Sequence, residues 1–500
     1  MESKATNKHR ITALVWCFLA AALILLFCTK SSFLYPFNDW EDDNIIFTVG
    51  RGLFQGKVPF RDLYDLKGPF AYLLFGIAGL ISTRSFIGLY VVEVICFTGF
   101  LFYSWKTISL FEKKNAIWTM PVIAMLIASS MAFTHGGSVE ELSLPALAYG
   151  LYSILAYYKN GYSERMPFRT LFINGILAGC MFWTKYTMLG MYLGWMATLF
   201  FVLIGRAPRK DAWIAAGEFL LGMAAASVPW IIYFGVNGAM SELIRYYFVY
   251  NITGYGNVER SVLEMILTIG RNTLATFYRN MQYSLLTVLG VGWLTLEKKK
   301  ELSSPAKVSL WVMCILSCIG IYIGETGYRY YGLVLAVFVP LGMIPILRAI
   351  NERVLSRIGK NKAVKCIPAV VLVLSAGLSI LISDNTYMLS WTKEDLPQYQ
   401  FAEIMEREKK EDSVKVLCYQ MMDSGIYLTA GYEPEFRCFT KLNNSHPEVM
   451  EQQKELLDSG RMEFVATKGF ELESSQYKKL AESSYWYEEG ISVFYLYQKK

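Results

Sequence analysis

Carboxylates are concentrated in one short stretch, residues 38–70, which reads NDWEDDNIIFTVGRGLFQGKVPFRDLYDLKGPF. A second acidic pair, Glu140 and Glu141, follows in the run HGGSVEELSLP. Clustered carboxylates can supply a general base for transfer onto a hydroxyl, together with charge that orients the base or holds a metal. Solvated loop charges are the simpler interpretation, but the density of acids favours chemistry. The acids of the first stretch are Asp39, Glu41, Asp42, Asp43, Asp62 and Asp65.

The elements that must position these acids are transmembrane helices. Hydrophobic residues make up 54% of the 500-residue chain and fall in long blocks, and a spanning helix needs roughly 20 apolar residues. The sequence therefore predicts a polytopic α-helical membrane protein with about 11 transmembrane helices. The net charge of +6 does not indicate nucleic-acid binding, because the basic residues lie at the ends of apolar blocks, as the positive-inside bias predicts.

The distribution of Lys and Arg also predicts which loops face outwards. A basic N-terminus precedes the first apolar block, residues 11–29, so we expect a cytoplasmic N-terminus and an outer location for residues 38–70. The run FTVGRGLFQG is expected to form a helix whose apolar face lies on the membrane. Residues 68–82 are apolar but short, and both a span and an interfacial helix fit them. If they do not cross, the later basic loops are cytoplasmic and Glu140 is outside.

The last part of the chain has a different character. Helical periodicity in KEDLPQYQFAEIMEREKK and HPEVMEQQKELLDS alternates with the strand-like runs SVKVLCYQ and MEFVAT, and YWYEEGISVFYLYQ predicts a hairpin turning at Glu489-Gly490. We predict a transmembrane domain over residues 1–383, in which the outer loops 30–85 and 135–142 hold the acids. Residues 384–500 are predicted to form a small extracytoplasmic α/β domain.

Several short runs resemble bacterial members of the GT-C superfamily of membrane glycosyltransferases. They are Asp42, FTVGRGLFQGKVPFRD, YDLKGP and HGGSVEELSLP, and the resemblance covers residues 11–350. The superfamily includes protein O-mannosyltransferases (glycosyltransferase family 39) and aminoarabinose transferases. The resemblance implies a GT-C-like fold and transfer of a sugar from a polyprenyl-phosphate carrier, undecaprenyl phosphate in a bacterium, on the outer face of the membrane. The implied acceptor is a protein, a cell-wall polymer or a glycolipid.

The resemblance also implies roles for individual acids. In the family, the first outer loop begins with an acid that acts as catalytic base a short distance before a Gly-Arg or Ala-Arg pair. Asp42 lies eight residues before Gly50 and is the preferred match, with Asp43 as the alternative. Glu140 or Glu141 matches the acid in the family's second outer loop.

The departing phosphate requires cations, and the sequence offers several. Lys67 matches a Lys that precedes Gly-Pro or Pro-Pro and closes the family's first loop. Arg329, in GETGYRYYG, is a second candidate because a planar guanidinium binds two phosphate oxygens; an interfacial anchor among tyrosines is the alternative. Arg245 and Asn251 are candidates for lining the carrier's entry groove, although an aromatic belt explains their tyrosine neighbours equally well. The acids can hold a divalent metal or act without one.

The alternative function is a multi-pass transporter or flippase of a lipid-linked or polar substrate. Such proteins carry inverted repeats and ionisable groups near the middle of the membrane. The sequence shows no evident internal repeat, and its acids are concentrated in the predicted outer loops. The enzyme hypothesis therefore explains more of the sequence.

Overall fold

The chain is largely helical, with a small sheet near its C-terminus, in a computed structural model. The structure describes residues 2–162, 164–206, 208–255, 261–297, 301–324, 326–356, 365–410, 413–443, 445–487 and 490–500. The α-helices are α1 Glu2–Cys28, α2 Glu41–Phe54, α3 Pro69–Ile81, α4 Ile87–Ser109, α5 Met120–Ala128, α6 Val139–Lys159, α7 Phe168–Lys185, α8 Gly190–Ile204, α9 Lys210–Val236, α10 Met240–Glu242, α11 Tyr250–Tyr255, α12 Val262–Arg279, α13 Met281–Leu296, α14 Ser304–Tyr322, α15 Val339–Ile350, α16 Ile367–Ile382, α17 Pro397–Glu408, α18 Ile426–Ala430 and α19 Pro447–Asp458.

Several helices are long and apolar enough to cross a membrane. Helices suit a bilayer because their backbone hydrogen bonds are satisfied internally. Six helical segments pass by length and composition within the described residues, and up to seven pass if α16 and the short helix Asp384–Ser390, bent by 82°, form one span. The six are Lys8–Cys28, Ile87–Ser109, Phe168–Ile204, Lys210–Val236, Ser304–Tyr322 and Arg329–Leu355. The predicted multi-pass helical architecture is confirmed, while the count of about 11 spans stays a prediction.

Two of the apolar helices, α7 and α8, are separated by the 3-10 helix Tyr186–Leu189. The helix breaks there because Lys185 has an extended backbone, with φ −161° and ψ 101°. Three apolar helices are shorter than a span: Pro69–Ile81, Ala116–Ala128 and Met281–Leu296.

Helices α2 and α3 carry and follow the acidic stretch. Helix α3 has 13 residues, and a helix of that length is about 20 Å long, which is less than the roughly 30 Å of a hydrocarbon core. This length fits the interfacial alternative for residues 68–82. The expectation that the apolar face of α2 lies on the membrane is wrong, because all residues from Asp43 to Gly52 are buried within the protein.

A four-stranded sheet forms near the C-terminus, as the strand-like runs predict. Its strands are β1 Val416–Cys418, β2 Phe464–Lys468, β3 Tyr477–Tyr487 and β4 Gly490–Lys499, in the order β1-β2-β4-β3. Strands β1 and β2 are parallel, and the other two pairs are antiparallel. The predicted hairpin is present as β3 and β4, although Glu489 of its predicted turn lies outside the described residues.

The chain forms two compact units. The first comprises Met1–Thr29, Tyr90–Pro229 and Arg260–Thr386, and its core is built from the buried faces of the long helices. The second comprises Lys30–Leu89, Trp230–Glu259 and Tyr387–Lys500. The second unit therefore contains both the acidic stretch and the sheet. The predicted domain boundary between residues 383 and 384 stays a prediction.

Candidate active site

Asp42 lies in the first turn of α2 and pairs with Lys67. The Lys67 Nζ is 3.1 Å from Asp42 Oδ2, and the two side chains remain 21% and 16% exposed. An acid in the first turn of a helix is favoured, because the N-terminal backbone N–H groups carry partial positive charge. The structure thus brings together the predicted base and one of the predicted phosphate-binding cations.

Asp43 is adjacent in sequence but has a different environment. Its side chain is buried, and its Oδ2 accepts a hydrogen bond from Asn38 Nδ2 at 2.9 Å. The same amide donates to Ser31 Oγ at 3.1 Å, and Asn38 Oδ1 accepts from the Trp40 N–H at 3.1 Å. Asn38 therefore fixes the chain that enters α2. The partial exposure of Asp42 favours that residue as the one a substrate can reach.

Most other acids of the stretch are engaged by side chains of the second unit. Asp39 accepts from Lys30 Nζ at 2.7 Å, with both side chains buried. Glu41 accepts from Lys468 Nζ at 2.7 Å. Asp65 is buried, and the Tyr72 hydroxyl lies 3.0 Å from its Oδ2. Burial raises the pKa of Asp65, and the nearby Lys67 ammonium opposes that rise.

The segment that follows β1 contacts α2 along its length. Asp423 Oδ2 accepts from the Thr48 hydroxyl at 3.2 Å, and Ser424 Oγ donates to Glu41 at 3.0 Å. Arg51 donates to the Tyr432 carbonyl at 3.1 Å. These contacts hold the helix that carries Asp42.

Arg245 and Asn251 are both engaged in the second unit. The Arg245 guanidinium pairs with Glu448 of α19 at 2.6 Å. Asn251 Nδ2 donates to the Leu66 carbonyl at 2.8 Å and to the Tyr247 carbonyl at 2.9 Å. Asn251 thereby supports the loop residue that precedes Lys67. Carrier binding by these two residues stays a prediction.

The second acidic pair begins α6, in the first unit. Ser138 caps the helix by accepting from the Glu141 N–H at 3.1 Å, and Glu141 Oε2 accepts from the Gly137 N–H at 2.9 Å. Glu140 Oε1 is 2.6 Å from Lys185 Nζ, with the glutamate 1% exposed. That ammonium also lies 3.5 Å from the centre of the Tyr331 ring. Two opposite charges thus lie side by side in a buried position, where each compensates the other.

Arg329 begins the 3-10 helix Arg329–Phe338 and is exposed. It belongs to the first unit, as the Glu140–Lys185 pair does. Over the part of the chain that the structure describes, no group of three His, Cys, Asp or Glu residues is arranged to hold a metal ion. A divalent metal and phosphate binding by Arg329 stay predictions.

Sequence reasoning missed the partners of the acids. Lys185 was not among the candidate residues, although an isolated lysine inside an apolar block is a signal of a buried charge pair. Lys30, directly after the first apolar block, and Asn38, shortly before a helix start, carried comparable signals. No local signal pointed to Lys468, because its partner lies 427 residues away along the chain.

The structure is similar to the crystal structure of ArnT from Cupriavidus metallidurans bound to undecaprenyl phosphate, with a TM-score of 0.58 and 10% sequence identity. The similarity covers 96% of this chain and 97% of that chain. This chain has a GT-C fold. The GT-C fold is the one that the runs around Asp42, Lys67 and Glu140 predicted, and that prediction is confirmed.

Two further solved structures were compared with this chain, as were the sequences of known proteins. Two structures of the arabinofuranosyltransferase AftD from Mycobacteria are 14% identical and match 97% of this chain, with TM-scores of 0.43 and 0.49. They match over 40% and 41% of the AftD chain. By sequence, no protein-family model and no curated protein matches this chain.

Proposed function

We propose that this protein is a glycosyltransferase that moves a sugar from a polyprenyl-phosphate carrier to an acceptor hydroxyl on the outer face of the cytoplasmic membrane. The observation that carries the proposal is the partly exposed Asp42–Lys67 pair, within a fold similar to that of ArnT, which is bound to undecaprenyl phosphate. Such a transfer requires at least an acid beside a cation. The carboxylate takes a proton from the acceptor, and the cation stabilises the negative charge of the departing phosphate.

The chemical step assigns roles to Asp42 and Lys67. The oxygen of the acceptor hydroxyl bonds to the anomeric carbon of the sugar, and Asp42 accepts the proton of that hydroxyl. The bond from the anomeric carbon to the phosphate oxygen breaks at the same time. Lys67 stabilises the departing polyprenyl phosphate. Roles for Arg329, Glu140 and Glu141 in the transfer stay predictions of the sequence.

The test uses the full-length protein in lipid nanodiscs with a panel of undecaprenyl-phosphate sugars and cell-envelope extract as acceptor. Mass spectrometry follows the release of free undecaprenyl phosphate. Replacing Asp42 with Asn should lower the release rate about 10²- to 10⁴-fold, as expected for loss of a general base. The matched control is Asp62→Asn, because Asp62 pairs with Arg61 at the surface, 2.8 Å away, and should keep the wild-type rate.

Two results would contradict parts of the proposal. A wild-type rate for Asp42→Asn, together with a large loss for Asp43→Asn, would move the base to Asp43. Absence of release from every donor, with and without divalent metal, would reject the glycosyltransferase and favour the transporter alternative.

A further inference from the structure

The second unit contains a cavity of about 450 Å³ beside the chain that leads into α2. Its floor is buried and includes Lys30, Phe37, Asn38 and Phe86. Its rim includes Lys393, which is exposed. A volume of this size lies within the range of sites for small-molecule ligands, roughly 300–1,000 Å³.

The floor of this cavity holds a buried ammonium. Lys30 is 2% exposed and pairs with Asp39 at 2.7 Å, while its Nζ also lies 3.2 Å from the Tyr387 hydroxyl. An ammonium has three N–H donors, so these two oxygens leave one donor for a ligand oxygen. A buried ion pair gains little stability over apolar residues of similar size, which favours a binding role for a lysine that lines a cavity.

Aromatic rings line the cavity together with these polar groups. Trp391 and Tyr399 contribute rings to its wall, and Lys393 Nζ lies 5.0 Å from the centre of the Tyr399 ring. Aromatic faces pack against the C–H faces of sugar rings, and polar groups beside them bind hydroxyls. Asp39 balances the charge of Lys30, so the positive charge at the cavity comes from the exposed Lys393 at the rim. That ammonium can bind an anionic substituent of the ligand.

The cavity extends to the residues that lead into α2. Asn38 lines it and donates to Asp43 at 2.9 Å, one residue after Asp42. We propose that this cavity binds a sugar phosphate, as the anionic saccharide end of the acceptor; its identification as the acceptor rests on the proposed function. Lys30 binds a saccharide hydroxyl, Trp391 packs against the ring, and Lys393 binds the phosphate.

Hydrogen–deuterium exchange of the full-length protein in phosphatidylcholine nanodiscs tests the site without any turnover. Glucose 1-phosphate is the probe, and glucose is its neutral counterpart. The probe should slow exchange in peptides covering residues 30–38 and 391–399. In Lys393→Gln, the probe concentration that gives half-maximal protection should rise about 5- to 10-fold, as expected for loss of a charge-assisted contact at a partly exposed site. Trp391→Ala should also raise that concentration. Lys478→Gln, an exposed position on β3, should bind as the wild type does.

The outcomes separate the site from the reaction. No protection at saturating probe, or equal protection by glucose, would overturn the proposal. Protection by the probe with no release of undecaprenyl phosphate would uphold the site and reject the glycosyltransferase. A second arm replaces the probe with phosphatidylglycerol in the nanodisc, and protection there as well would identify the source of the phosphate as a lipid headgroup.

Discussion

Asp42 and Asp43 show how two adjacent acids acquire different capabilities. Successive residues of a helix point about 100° apart, so one side chain of α2 faces the partly exposed Lys67 and the next faces the buried amide of Asn38. A buried carboxylate held by a fixed donor is suited to structure. A partly exposed carboxylate beside a cation is suited to accepting a proton from a substrate.

Lys67 is the residue whose replacement should separate donor binding from catalysis. Lys67→Gln removes the charge that we assign to the donor phosphate, while Lys67→Arg keeps it. A charge-assisted hydrogen bond contributes about 1.5–3 kcal/mol, so the glutamine variant should raise the KM for the donor about 10- to 150-fold. Steady-state release of undecaprenyl phosphate at varied donor concentration measures the effect. An unchanged KM in the glutamine variant would remove Lys67 from the donor site.

Asp423 should give stability a pH dependence that its amide variant lacks. Burial raises its pKa from the ordinary 3.8 to about 6, against hydrogen bonds from the Gly425 and Ile426 N–H groups and from Thr48 that lower it. The folded protein therefore binds more protons at this site than the unfolded chain between about pH 4 and pH 6, and stability falls as the pH rises through that window.

The free energy of unfolding that Asp423 contributes should fall by about 3 kcal/mol across this pH range. Unfolding of wild type and Asp423→Asn in detergent, measured at steps from about pH 4 to pH 7, should show the wild type losing stability relative to the variant up to about pH 6 and staying parallel above it. A constant difference across the whole range would mean that the carboxyl does not titrate there.

At the scale of elements, local sequence predicted the helices and strands because their signals are local. Apolar blocks gave the long helices, and alternating residues gave β3 and β4. The contacts that hold α2 were beyond reach, since Thr48 and Asp423 lie 375 residues apart along the chain and neither residue signals its partner. Lys185 signals a buried charge pair by its place in an apolar block, but nothing in the sequence identifies Glu140 as its partner.

The packing of α2 on α3 depends on glycine. A Cβ added at Gly50 would lie 2.7 Å from the Gly76 N and 2.8 Å from the Tyr72 carbonyl oxygen, both backbone atoms. Gly50→Ala should therefore force the two helices apart and destabilise the protein by about 1–3 kcal/mol. Thermal unfolding in detergent measures the effect.

The matched control for this substitution is Gly217→Ala within α9. A Cβ there would meet no atom within 4 Å, and alanine has the higher helix propensity by about 1 kcal/mol. Its midpoint should stay the same or rise. A wild-type midpoint for Gly50→Ala would show that α2 and α3 do not pack this closely.

At the scale of the whole molecule, the function depends on which side of the membrane each acid faces. A polyprenyl-phosphate sugar used on the outer face requires Asp42 to be outside, and the basic loops predict this arrangement. Ser475 and Ser356 are suitable reporters because both are exposed. Ser475 lies just before β3 and is predicted to be outside, whereas Ser356 adjoins a basic stretch predicted to be cytoplasmic.

Single cysteines at these two positions, in a background without the nine native cysteines, make the prediction measurable. An impermeant thiol reagent should label Ser475→Cys in intact cells and Ser356→Cys only after lysis. The reverse pattern would place the C-terminal sheet in the cytoplasm, where the proposed outer-face transfer is impossible. Labelling of both positions in intact cells would place Ser356 and Ser475 on the same side of the membrane. In that case α16 with its bent extension, which lies between them, would be a re-entrant segment rather than a span.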